Sequence, residues 1–87
     1  MIAGALLASV MTIYLPCADY IDMVKMLNTT HGEYRVARGI IGAHIGVLEL
    51  YLSLKGSWTL VVVSAHGQAC LAFGGKGWQT EVGGQPL

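Results

Sequence analysis

Apolar and polar positions along this 87-residue chain fall into blocks of different period. Residues 1–15 (MIAGALLASVMTIYL) form a continuous apolar run, relieved only by Ser9 and Thr12. Residues 18–30 (ADYIDMVKMLNTT) instead place Tyr20, Met23, Val24 and Leu27 at the spacings of one helical face, with Ile21 at its margin. Asp19 and Asp22 would complement the helix dipole in the first turn, and Gly32 offers a left-handed cap at the other end. The Met23/Met26 pair reads as core filler, Met being the side chain that best fills irregular gaps. Residues 33–41 (EYRVARGII) alternate as a first strand, with Tyr34, Val36 and Ile40 on one side and a bulge expected at Gly39.

After the link Gly42-Ala43-His44 come three short apolar runs, residues 45–54, 57–65 and 68–75. The dipeptides Lys55-Gly56 and His66-Gly67 separate them, and a polar residue followed by Gly between β-rich runs signals a two-residue hairpin turn. The expected fold class is α+β: an apolar N-terminal signal or anchor helix, then one amphipathic helix packed on a four-stranded antiparallel β-meander. Residues 1–16 would be a signal peptide or uncleaved membrane anchor, 17–80 one small α+β domain, and 81–87 a flexible tail.

Two-residue loops imply a register. Leu52 would face Thr59, Leu50 Val61, Leu48 Val63, Val63 Cys70, and Val61 Ala72. One face then holds Leu48, Leu50, Leu52, Val61, Val63, Cys70 and Ala72, the last two small enough to admit the helix. The other carries Val47, Glu49, Tyr51, Trp58, Leu60, Val62, Leu71 and Phe73. That second face is too apolar for a solvated surface. Either the first strand, the Trp78 tail and sheet curvature bury it, or Tyr51, Trp58, Leu60, Leu71 and Phe73 form an interaction surface.

Composition sharpens the reading at the N-terminus. The chain is 54% hydrophobic and 11% charged, and all its Asp, Glu, Lys and Arg lie at or after Asp19. An uncharged apolar run of this length suits a secretory signal and is short for a spanning helix, which wants about 20 residues. No Lys or Arg precedes it and no small-x-small cleavage site precedes Cys17, so an uncleaved anchor over residues 1–18 is the alternative. Net charge is zero, with five cations against five anions, which leaves no basic stripe for nucleic acid.

Cys17 and Cys70 complete the thiol inventory. With the helix over the leucine-and-valine face, Cys17 at its start would reach Cys70. A bridge closing so long a loop is worth ~4 kcal/mol in the chain-entropy model, comparable with the whole stability of a small domain. Two free buried thiols, or a zinc site completed by His31 and His66, are the competing readings, the latter weakened by the lack of a closely paired ligand motif.

Several of these residues resemble a group of short exported proteins of alphaproteobacteria. The likeness runs from Cys17 to about Trp78: a Cys opening a helix, Gly32-Glu33 after it, Gly56-Ser57-Trp58-Thr59 at a strand start, Gly67 to Cys70, and Gly75 to Trp78. The resemblance implies export and supports the Cys17–Cys70 pairing. It implies no reaction.

Motifs of chemistry are thin. Gly74-Gly75-Lys76-Gly77 lacks the following Ser or Thr and the helix that a phosphate-binding loop requires. His31, His44 and His66 fall in turns, and no Ser-His-Asp or Cys-His arrangement suggests an activated nucleophile. Glu49, placed among Tyr51, Val62 and Trp58, is a desolvated but solitary carboxylate. The expectation is therefore no enzyme, cofactor or metal site, but a small exported, disulfide-stapled binding or accessory protein of the bacterial periplasm. A protein partner, or self-association, would use the aromatic sheet face; the membrane would be met only through residues 1–18 if uncleaved. A membrane-anchored accessory subunit is the alternative, or an inhibitor of a secreted hydrolase with Ala43-His44 or residues 65–68 as its plug.

Overall fold

A chain that arrives extended pairs readily with a neighbouring strand, and Pro16, which has no N–H and disfavours helix in the residue before it, keeps a helix from running into Cys17. The computed structural model describes residues 15–44 and 46–81. The expectations for residues 1–14, Ile45 and the tail 82–87 lie outside them. The elements run β1 (Cys17–Asp19), α1 (Tyr20–His31), β2 (Tyr34–Ile41), a 3-10 turn (Gly42–His44), β3 (Gly46–Leu52), β4 (Trp58–Val63) and β5 (Gln68–Gly75). They make one helix on a five-stranded antiparallel sheet of order β1-β5-β4-β3-β2. The fold is α+β as expected, with five strands rather than four.

The additional strand is β1, taken from the expected start of the helix. It pairs Cys17 with Cys70, Ala18 with Ala69 and Asp19 with Gln68. The ladder is extended at both ends, by Leu71 N–H to the Pro16 carbonyl and Tyr20 N–H to the Gly67 carbonyl, each at 2.9 Å. A strand this short has no periodicity of its own; its partner makes it. The helix face matches the sequence pattern: Met23 and Leu27 are buried, and Tyr20, Val24 and Met26 pack at the core margin. Gly32 ends the helix at φ 64°, in the left-handed conformation, and the Glu33 N–H returns to the Leu27 carbonyl at 3.0 Å.

Both hairpin loops are one residue longer than expected. Ser53 N–H donates to the Ser57 carbonyl at 2.9 Å, and Ser64 N–H to the Gln68 carbonyl at 2.8 Å. Each pair therefore encloses three residues, Leu54-Lys55-Gly56 and Ala65-His66-Gly67. Gly56 (φ 92°) and Gly67 (φ 83°) close these turns, donating back to the Ser53 and Ser64 carbonyls. This is the turn-plus-bulge hairpin in which Gly holds the positive-φ position. The serine starts each turn, its Oγ accepting from Lys55 N–H and Ser57 N–H in one, and from His66 N–H and Gln68 N–H in the other.

One extra loop residue slips the register by one and inverts the face pairing. Leu52 faces Trp58, Leu50 faces Leu60 and Leu48 faces Val62, while Glu49 faces Val61 and Tyr51 faces Thr59. On β5, Val61 faces Leu71 and Val62 faces Cys70; beyond a bulge at Ala72, Leu60 faces Phe73. The helix side thus carries Glu49, Tyr51, Val61, Val63, Ala69 and Leu71. The opposite side carries Leu48, Leu50, Leu52, Trp58, Leu60, Val62, Cys70 and Phe73. Neither face has the membership expected from two-residue turns. On β2 the bulge falls at Val36 rather than Gly39, so Tyr34 and Ile40 do not share a side: Tyr34 aligns with Leu52, Ile40 with Val47.

Cys17 and Cys70 form the disulfide. It joins directly opposed residues of β1 and β5 on the side of the sheet away from α1, so the helix does not cover it, contrary to expectation. Its role is to hold a three-residue edge strand in place. Fully buried apolar side chains are few, namely Met23, Leu27, Tyr51, Val61 and Ala69. A domain with so small a core is marginal without a staple. Replacing both cysteines by Ala should lower the unfolding free energy by ~4 kcal/mol, the chain-entropy value for a loop of this length. Denaturant titration of the variant beside the oxidised wild type measures it; a change below ~1 kcal/mol would show that the sheet holds β1 unaided.

Candidate functional site

A carboxylate placed in an apolar layer must find donors, because an isolated buried charge is strongly disfavoured. The register puts Glu49 in that position, fully buried beneath the start of α1. Four side chains supply the donors. Tyr51 Oη donates to Glu49 Oε1 at 2.8 Å and Tyr20 Oη donates to the same oxygen at 2.9 Å. Arg38 Nη2 donates to Oε2 at 3.0 Å, and Arg35 Nη1 approaches it at 3.4 Å while donating to Tyr20 Oη at 2.9 Å.

The bulge at Val36 makes this cluster. Residues three apart on a regular strand point to opposite faces, but the additional residue lets Arg35 align with Tyr51 and Arg38 with Glu49. Tyr20, the first residue of α1, completes the set from above. The cluster thereby ties the helix, an edge strand and a central strand through one side chain. The expected neighbours of Glu49, Val62 and Trp58, lie on the other face. Tyr20, Arg35 and Arg38 surround it instead. The available signal was two arginines on one strand and a lone glutamate on the next.

Burial, then the hydrogen bonds with Tyr20 and Glu49, raise the Tyr51 pKa far above the ordinary tyrosine value. Arg35 is held in its charged form by its bond to Tyr20, with the nearby Glu49 carboxylate adding to the effect. Among the described residues every partner donates to Glu49, and no histidine, thiol or aliphatic hydroxyl joins it. This arrangement anchors the start of α1 to β2 and β3.

Two surfaces flank the cluster. Between α1 and β2 runs a groove of about 590 Å³, lined by Tyr20, Ile21, Val24, Tyr34 and Arg35 among others. Across the sheet, Leu48, Trp58, Leu60 and Phe73 lie on a face that no layer covers among the described residues. Phe73 is 69% exposed there, and Trp58 lies over Gly75 and against Trp78, ring centroids 5.6 Å apart. Of the five residues expected to form one aromatic surface, the structure brings together Trp58, Leu60 and Phe73. Tyr51 and Leu71 belong beneath the helix, Leu71 because the bulge at Ala72 separates it from Phe73.

Both sulfurs are committed to the disulfide, which removes the thiolates from the zinc arrangement with His31 and His66. Among the described residues no group of three or more His, Cys, Asp and Glu is placed to hold a metal ion. None of their helices is long and apolar enough to cross a membrane. At the far end of α1, Glu33 is buried and its Oε1 has no hydrogen-bond partner, nor does Asn28 Oδ1. Compared with known proteins, the chain matches no family model, no curated protein and no solved structure.

Changing Tyr51 to Phe should lower stability by ~1 kcal/mol near neutral pH through loss of one hydrogen bond to the buried carboxylate. The sign of the pH dependence follows from the raised pKa. Its contribution is complete below the unfolded tyrosine value of about 10 and is lost as pH climbs above it. Wild type should therefore lose stability more steeply than the Tyr51→Phe variant above that pH. Urea midpoints of both proteins at pH 7, 9, 10 and 11 (roughly bracketing the free tyrosine pKa) test this, and parallel curves would contradict it.

Proposed function

We propose that this chain is a small exported, disulfide-stapled binding or accessory protein that associates through the sheet face opposite α1. The observation that carries the reading is the register. It gathers Leu48, Leu50, Leu52, Trp58, Leu60, Val62 and Phe73 on one side, and α1 lies on the other. Contiguous apolar surface beyond a few hundred Å² marks contacts rather than solvated cover. Aromatic anchors such as Trp58 and Phe73 are the residue types that dominate interface energies.

A second copy of the chain is the occupant that fits best. These seven residues include no charge, and the whole chain carries five positive and five negative side chains. Two such faces can therefore approach without like-charge repulsion, as in aligned sheet-on-sheet packing with ~10 Å between layers. The disulfide points to an oxidising compartment. The likeness to short exported alphaproteobacterial proteins supports the periplasm as that compartment. The apolar, uncharged residues 1–18 favour one further reading, an accessory subunit anchored by that segment. The intact mass of the protein recovered from cells distinguishes the two, since an anchored chain retains the segment.

Light scattering coupled to size exclusion should show the oxidised domain as a dimer and Phe73→Asp as a monomer with an unchanged circular dichroism spectrum. Phe73 is chosen because its exposure keeps the substitution out of the core. A wild type that stays monomeric at every concentration removes the self-association reading.

A further inference from the structure

The groove between α1 and β2 lies on the opposite side of the sheet from the surface just described and is independent of it. α1 packs chiefly on β1 and β5, with Met23 and Leu27 in one cluster with Ala18, Ala69 and Val61. The edge strand β2 meets the helix at its start, through Arg35 and Tyr20, and a gap opens between them beyond that contact. The gap has a volume of about 590 Å³, within the range of small-molecule sites. It runs from Tyr20 to Thr29, ten residues of helix, or about 13.5 Å at 1.5 Å per step.

Its walls are of two kinds. Ile21 and Val24 present apolar surface from the helix, and Ile21 is 71% exposed despite its size. Lys25 and Arg35 also line it, and no acidic residue does. Among the described residues Lys25 has no ion-pair partner, and only Nη1 of Arg35 is engaged, by Tyr20 and Glu49. A guanidinium has five N–H donors, so most of its donor edge is uncommitted. Arg38, on the same face, compensates much of the Glu49 charge, which leaves the positive charge of Lys25 and Arg35 to the groove.

We infer that this groove binds a free single-chain fatty carboxylate of medium length. The chain lies along Ile21 and Val24, and the head group meets Lys25 and Arg35. Charge complementarity selects the carboxylate, because a neutral chain would leave Lys25 and the free donor edge of Arg35 unanswered while gaining the same apolar contact. The Glu49 network holds Arg35 from behind, so that one guanidinium is both anchored and offered.

Decanoate titrated into the oxidised full chain, followed by amide chemical shifts, tests the inference. Saturable changes confined to α1 and β2 are expected. Lys25→Glu, at an exposed position, should weaken decanoate about tenfold, the loss of one charge-assisted contact. The neutral analogue 1-decanol should bind more weakly than decanoate to wild type and be indifferent to Lys25→Glu. Changes centred on Trp58 and Phe73, equal affinity for the alcohol, or a Lys25→Glu protein that binds decanoate normally would each overturn it. Co-sedimentation with phosphatidylglycerol vesicles without binding of free decanoate would overturn it too, by assigning the cations to a membrane surface. None of these results depends on whether Phe73→Asp changes the oligomeric state.

Discussion

Two Ser-x-x-Gly turns, at Ser53 and Ser64, decide which half of every central strand faces the helix. In each, the serine Oγ caps N–H groups of the turn and the glycine takes positive φ, so the loop closes with three residues rather than two. Side chains alternate with period two, and that single residue moves Tyr51, Val61 and Ala69 beneath α1 and turns the leucines of β3 outward. Everything else follows from this register. It also forces Glu49 into the layer between sheet and helix.

A carboxylate there requires donors, and the chain meets the requirement with irregular β structure. The bulge at Val36 brings both arginines of β2 to the same side, and the bulge at Ala72 does the reverse to Leu71 and Phe73. Removing one partner from such a cluster leaves a buried polar group unsatisfied, so its members act as a unit. The buried carboxylate is weak evidence of stability in itself, since ion pairs taken from water gain little net energy. It does enforce position: Tyr20, Tyr51 and the two arginines satisfy Glu49 only when the helix start, β3 and β2 are in one arrangement.

The two sides of the sheet then differ in how they are finished. One has the short helix, a small core, and an open groove between the helix and β2. The other has the disulfide, the Trp58–Trp78 pair and a run of aliphatic side chains. The disulfide tethers β1, the strand least able to hold itself, and lies on the side away from α1. Both proposals, self-association through the open face and a fatty carboxylate in the groove, occupy surface that this one-helix, one-sheet layering leaves unfilled.

The sequence by itself determined the local elements and their chemistry. The 3.6-residue spacing of Tyr20, Met23, Val24 and Leu27 marked the buried helix face, and Gly32 its cap. Gly56 and Gly67 marked both hairpins, and the two cysteines their bridge. These are properties of short windows, where period and positive-φ demand act directly. Register, the three-residue strand β1 and the Glu49 cluster were decided only in three dimensions. A two-residue and a three-residue loop differ by one position in sequence yet by a whole face in space. Cys17–Asp19 has no strand pattern apart from the edge of β5. Arg35 and Arg38 share a side only because the chain bulges between them, and that bulge exists to satisfy a carboxylate on another strand.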